Sequence, residues 1–147
     1  MIFKEVPEEF NPKFSVASCY IECAGKILLL HRSEIESEPG KWCLPGGKIE
    51  EKETELDAMV REIKEETGLS IPQDKLEYIE KLFIKHPNHD FEYHLFLTKL
   101  DAESQIEINE EHKNYAWVSP LEALSMDLMR DNDVHIKMFY GIDNALA

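Results

Sequence analysis

From Thr54 to Gly68 the chain adopts a helical period that leaves few choices of fold. Leu56, Met59, Val60 and Ile63 recur at i, i+3, i+4 and i+7, so one stripe of this segment must be buried against an apolar surface. Thr54 stands where an N-cap is needed, Asp57 three positions on can return the hydrogen bond, and Gly68 supplies the stop. The flanking segments read as a sheet for this helix to pack on. Residues 13–22 (KFSVASCYIE) and 26–31 (KILLLH) are short apolar runs that predict a hairpin about CAG. Residues 75–85 (KLEYIEKLFIK) and 91–100 (FEYHLFLTKL) predict two long strands joined by HPNHD, and 114–119 (NYAWVS) a shorter one. Helices are predicted at SPLEALSM, opening with Pro120, and from Asn132 to Tyr140. Strands and helices interleave without a repeat or a low-complexity linker, which predicts a single mixed α/β domain over residues 1–147.

The same helix carries three carboxylates near its carboxyl end. At 100° per residue Glu62, Glu65 and Glu66 fall within about a third of the circumference, beside the apolar stripe. Glu62 faces both others at i+3 and i+4, where like charges cost a few tenths of a kcal/mol each, and the negative end of the helix dipole adds to the repulsion. Two readings follow. The stripe is either a solvated acidic face relieved by Arg61 and Lys64, or a place for hard divalent cations such as Mg²⁺ or Mn²⁺, which take carboxylate and carbonyl oxygens together with substrate phosphates.

The wider spacing bears on the choice. Gly47, five residues, Glu53, seven residues and then REIKEETGL from Arg61 to Leu69 resemble the Nudix box at every defined position. The chain is thereby similar to Nudix hydrolases, MutT-type in its LPGGKIE approach to the box, with looser likeness in LLLHR, WCLPGG and EEHKNYAWVSPLEAL. The resemblance implies a three-layer α/β/α sandwich with a mixed sheet. It also implies hydrolysis of a nucleoside diphosphate linked to another group, with Mg²⁺ or Mn²⁺ as cofactor. It makes Glu62, Glu65 and Glu66 metal ligands together with the Gly46 carbonyl, with Glu62 or a partner accepting the proton of the attacking water. Arg61 and Glu53 then pair to orient the loop against the helix, a match of planar fork to carboxylate. Among family substrates, nucleoside triphosphates cleaved to monophosphate and pyrophosphate are preferred here over dinucleoside polyphosphates, nucleotide sugars and ADP-ribose. A nucleotide sensor without hydrolysis is the reading from another class, disfavoured because every box glutamate is kept.

Residues outside the box leave alternatives open. By the same resemblance Glu111, or Glu110 in its place, joins the metal site from a later loop; otherwise both belong to a solvated acidic loop. Arg32 either meets substrate phosphate or is a surface cation, Trp42 either stacks on a base or packs in the core, and Gly47 sits where substrate approaches the box. The loop between Arg32 and Trp42 is a candidate substrate lip. His86, His89 and His94 suggest zinc only weakly, since no thiolate joins them at finger spacing.

The 30 acidic and 16 basic residues give a formal charge of -14, which disfavours nucleic acid polymers and anionic membranes as partners. Cys19, Cys23 and Cys43 form no CxxC pair and read as reduced and structural. No run approaches the roughly 20 apolar residues of a membrane span, so the expectation is a soluble cytoplasmic protein acting on a nucleotide. The oligomeric state, a homodimer included, is left open.

Overall fold

Alternation along two central strands decides the layering. The computed structural model describes residues 1–142 of the chain, with strands β1 (Ile2–Phe3), β2 (Pro12–Cys23), β3 (Lys26–Arg32), β4 (Trp42–Cys43), β5 (Gly46–Lys48), β6 (Glu77–Lys85), β7 (Asp90–Lys99) and β8 (His112–Val118). Helices α1 (Glu55–Thr67), α2 (Pro120–Ala123) and α3 (Asn132–Tyr140) complete it, with a 3-10 turn at Gln73–Lys75. Ala17, Cys19 and Ile21 of β2, with Leu28 and Leu30 of β3, join one buried cluster with Ala58, Met59 and Ile63 of α1. Tyr20 of β2, with Ile27 and Leu29 of β3, joins a second cluster with Ala123 of α2 and Ile136 of α3. The mixed sheet is therefore covered by helices on both faces, the predicted α/β/α arrangement, and the unbroken apolar run of β3 is explained by burial on both sides.

Helix α1 forms as its sequence predicts. Thr54 and Asp57 make a reciprocal capping box, and Gly68 ends the helix in the left-handed conformation at φ 78° with its N–H on Lys64 O. Met59 and Ile63 are fully buried, each worth about 1.5–3 kcal/mol. That outweighs the few tenths of a kcal/mol lost to each like-charge pair, so packing sets where the carboxylates lie. The buried stripe differs from the expected one at one position. Ala58 enters the core and Val60 stays at its edge, because the helix is seated over both β2 and β5.

The predicted hairpin exists only at its turn. β2 and β3 pair at Glu22↔Ile27 and Cys23↔Lys26, and then the sheet forks. On one branch β2 takes β5 antiparallel and β7 parallel; on the other β3 takes β4 and β8. The short β4 and β5, both within the WCLPGGK stretch, line this fork, and Cys19 N–H donates to Pro45 O at 3.0 Å across it. β8 begins two residues earlier than predicted, at His112, and α2 is a single turn within the predicted SPLEALSM helix. The three cysteines are free and buried. No helix among the described residues is long and apolar enough to cross a membrane.

Candidate active site

The carboxylates of α1 do not share one environment. Measured around the helix, Glu66 lies about 20° from Met59 and Glu62 about 60° from it, whereas Glu65 is about 120° away. Accordingly Glu62 and Glu66 continue the buried stripe at 8% and 3% exposure, and the Glu65 side chain is half exposed. The single acidic side expected from the sequence is thus split, because the core stripe runs past Ile63 into Glu66.

Around Arg61 the charges are matched. Arg61 lays its fork on Glu53, Nε to Oε2 at 2.7 Å and Nη2 to Oε1 at 2.8 Å, and Nη2 also donates to Lys48 O at 3.1 Å. The Glu50 N–H donates to Glu53 Oε1 at 2.8 Å, so loop and helix are tied by one ion pair. Hydrogen bonding from Arg61 holds the Glu53 carboxyl down at about 2. The same guanidinium donates through Nη1 to Glu62 Oε1 at 2.9 Å and reaches Glu65 Oε2 at 3.3 Å. Gly47 has a definite reason here: a Cβ on it would stand 2.5 Å from the Cδ and Oε1 of Glu62. Gly46 is equally constrained, since its Cβ would meet Ala17 O and Ser18 Oγ at 2.3 Å.

One turn further on the charges are not matched. Glu66 Oε1 accepts the Gly46 N–H at 2.8 Å, and the carboxylates of Glu62 and Glu111 lie near it. Burial first, opposed by that N–H, and then Glu62 and Glu111 raise the Glu66 carboxyl well above its ordinary range; burial likewise raises Glu62, against the pull of Arg61. Glu111 is delivered by the loop before β8, whose Ile106 is buried in the α1 cluster. That loop is fastened to the end of α1 by Glu107 N–H to Thr67 O at 2.8 Å and Asn109 Nδ2 to Glu65 O at 3.1 Å. Glu111 itself is held by its N–H on Asn109 Oδ1 at 3.0 Å and by its carbonyl, which accepts Ser33 N–H at 2.9 Å.

The sequence reading did not single out His112. Carboxylate oxygens of Glu66 and Glu111 and a ring nitrogen of His112 all lie within 4.8 Å of one another. A bulge brings the imidazole there. His31 pairs with Asn114 but Arg32 pairs with His112, so Lys113 is an extra residue and His112 faces the same way as Arg32. Burial, and then the Arg32 guanidinium, lower the His112 pKa to about 4, which leaves a neutral ring. Nδ1 is buried without a hydrogen-bond partner, and Nε2 faces Cys43 Sγ at 3.9 Å. A buried Glu66 with little internal compensation, the half-buried Glu111 and an imidazole nitrogen without a hydrogen-bond partner form a donor set that fits a divalent cation.

The other candidates are placed as follows. Arg32 donates through Nε to Ser37 O at 2.6 Å and through Nη2 to Ser37 Oγ at 3.0 Å, and lies 3.9 Å from Glu36, so it pins the 33–38 loop on the α1 side of the sheet. Trp42 stacks on His31 with centroids 4.3 Å apart and packs against the opposite cluster. Glu110 is exposed. His86 bonds Asp131 at 3.0 Å and His89 rests among Phe14, Phe91 and His86, whereas His94 bonds the Tyr78 hydroxyl in a setting apart from both.

The sequence matches the NUDIX domain over residues 12–139. The chain belongs to the Nudix family. It is 31% identical to the CTP pyrophosphohydrolase of Escherichia coli K12 over 119 residues, covering 77% of this chain and 81% of that one. It is 33% identical over 98 residues to nucleoside triphosphatase NudI of E. coli O17:K52:H18, covering 61% and 70%. The MutT protein of Methanosarcina mazei superposes with a TM-score of 0.78 at 26% identity, over 92% of this chain and 97% of that one. Membership makes the chain a Nudix hydrolase directed at nucleotide pyrophosphates, a family that generally works with divalent metals.

Proposed function

We propose that this Nudix hydrolase is a nucleoside triphosphate pyrophosphohydrolase that splits the α–β anhydride to release a nucleoside monophosphate and pyrophosphate. The observation that carries it is Glu66, a buried carboxylate with Glu62 and Glu111 close by, at the end of the Nudix helix. The names of two relatives, a CTP pyrophosphohydrolase and a nucleoside triphosphatase, support triphosphates as the substrate class. Glu62, Glu65, Glu66 and Glu111, with the Gly46 carbonyl, would hold Mg²⁺ or Mn²⁺. When bound, such a cation draws charge from the phosphates and makes water a better nucleophile near neutral pH.

The chain's own contribution is position and proton handling. Arg61 occupies Oε1 of Glu62 and so fixes that carboxylate, leaving Oε2 to accept the proton of the attacking water. Burial raises the proton affinity of Glu62, which suits a base near neutral pH. The Glu53 pair with Arg61 keeps the guanidinium in place throughout, and Arg32 orders the lip over the α1 face.

The test is a panel of nucleoside triphosphates, dinucleoside polyphosphates, nucleotide sugars and ADP-ribose with Mg²⁺ or Mn²⁺, products resolved by chromatography. Monophosphate and pyrophosphate in equal amounts from a triphosphate, abolished by chelation, is the expected result. Turnover confined to the other classes, or release of orthophosphate alone, would replace this reading.

A further inference from the structure

We infer that His112 is a nitrogen ligand of the divalent-cation site and that it tilts the site from Mg²⁺ towards first-row transition ions. This rests on the reading of Glu66 and Glu111 as cation ligands given above. A ring nitrogen of His112 lies within 4.8 Å of oxygens of both carboxylates, the span that a single ion could bridge. The ring is 5% exposed and its Nδ1 has no hydrogen-bond partner, a state that costs free energy unless something else occupies the lone pair or proton. The other nitrogen meets the Cys43 thiol, a weak partner at 3.9 Å.

The backbone is arranged for this. Without the bulge at Lys113, strand alternation would turn His112 to the face of Asn114, away from α1; with it, His112 lies opposite Arg32 on the carboxylate side. Chemistry then sets the selectivity. Mg²⁺ holds to oxygen ligands and water, whereas imidazole suits transition ions, so one nitrogen among carboxylates favours Mn²⁺ over Mg²⁺ and favours later ions further.

Pulsed electron paramagnetic resonance on the whole protein loaded with MnCl₂ alone tests the inference without reference to turnover. Protein made with ¹⁵N-histidine should show the coupling of a directly bound imidazole nitrogen changing from the ¹⁴N to the ¹⁵N pattern. His112→Gln should bind Mn²⁺ without that coupling, and its preference for Mn²⁺ over Mg²⁺ in competition should fall roughly tenfold or more. The labelled parent answers the question even if His112→Gln does not fold. Saturable Mn²⁺ binding without histidine coupling overturns this inference and leaves the carboxylate site standing. Coupling that persists in His112→Gln assigns it to another histidine and likewise overturns it. Loss of saturable Mn²⁺ binding in the parent overturns both readings.

Discussion

Two turns of α1 treat the same residue type in opposite ways. Around Arg61, Glu53 and Glu62 meet a guanidinium at 2.7–2.9 Å, and the Glu53 carboxyl is held down at about 2. Around Glu66 the Gly46 N–H donates to the carboxylate, while two further carboxylates press towards it and its pKa rises. Internal pairing at the first turn makes a rigid mount for the box loop. The second turn keeps a local excess of negative charge in a buried place, at a cost in stability that a cation would offset. The difference teaches that one glutamate-rich helix can hold a brace of paired carboxylates and, a turn away, a carboxylate left open for the proposed cation, and burial against available donors tells the two apart.

Neutralising the second turn should have the largest effect. Glu66→Gln is expected to lower turnover by about a hundredfold or more, since it removes a positioned charged group from the reaction. It should also raise the melting temperature of the cation-free protein, because a buried repelled charge is gone. Parent-like turnover together with a lower melting temperature would make Glu66 another structural carboxylate like Glu53 and erase the contrast.

Removing the brace should cost less in rate and more in stability. Arg61→Ala strands Glu53 and frees Glu62, for an expected loss of about 1–3 kcal/mol in unfolding free energy and a smaller fall in turnover than Glu66→Gln. Denaturant unfolding at pH 7 measures the first and pyrophosphate release the second. Unchanged stability would mean that the ion pair does not hold loop to helix.

The smallest expected signal is in pH dependence, and it has opposite signs at the two turns. Glu53 binds its proton less readily folded than unfolded, so its contribution is present above about pH 4.5 and is lost as pH falls towards 2. Glu66 binds its proton more readily folded than unfolded, so cation-free stability should decline as pH rises above about 4.5. Melting curves from pH 3 to 8 with chelator should show both limbs, Arg61→Ala losing the acid one and Glu66→Gln the other. An upper limb identical in Glu66→Gln and its parent would show that the decline comes from general charge repulsion instead.

Much of this was legible in the residues. The cap Thr54, the stop Gly68 and the buried Met59 and Ile63 follow from local spacing, the partnership of Arg61 with Glu53 is implied by the family resemblance, and each is present in the structure. What was not legible depended on long-range pairing. The separation of Glu65 from Glu62 and Glu66 needed the exact seat of α1 on β2 and β5. Gly47 was read as lying near substrate, and its closest side-chain neighbour proved to be the Glu62 carboxylate, 15 positions along the chain. Arg32, read as either a phosphate contact or a surface cation, and Trp42, read as either a base stack or core, make a loop tie and an imidazole stack that no periodicity announces.

By itself, then, the sequence determined the helix, its caps, its box spacing and the family, because these rest on contacts a few residues apart or on a fixed pattern of residue types. Tertiary structure alone decided that Glu111 and His112 would stand beside Glu66. Their approach depends on a loop anchored by Ile106 under α1 and on one extra residue, Lys113, in the pairing of β8 with β3. A strand has period two, so a single-residue slip turns a side chain through the sheet, and no local propensity encodes which partner strand will impose it.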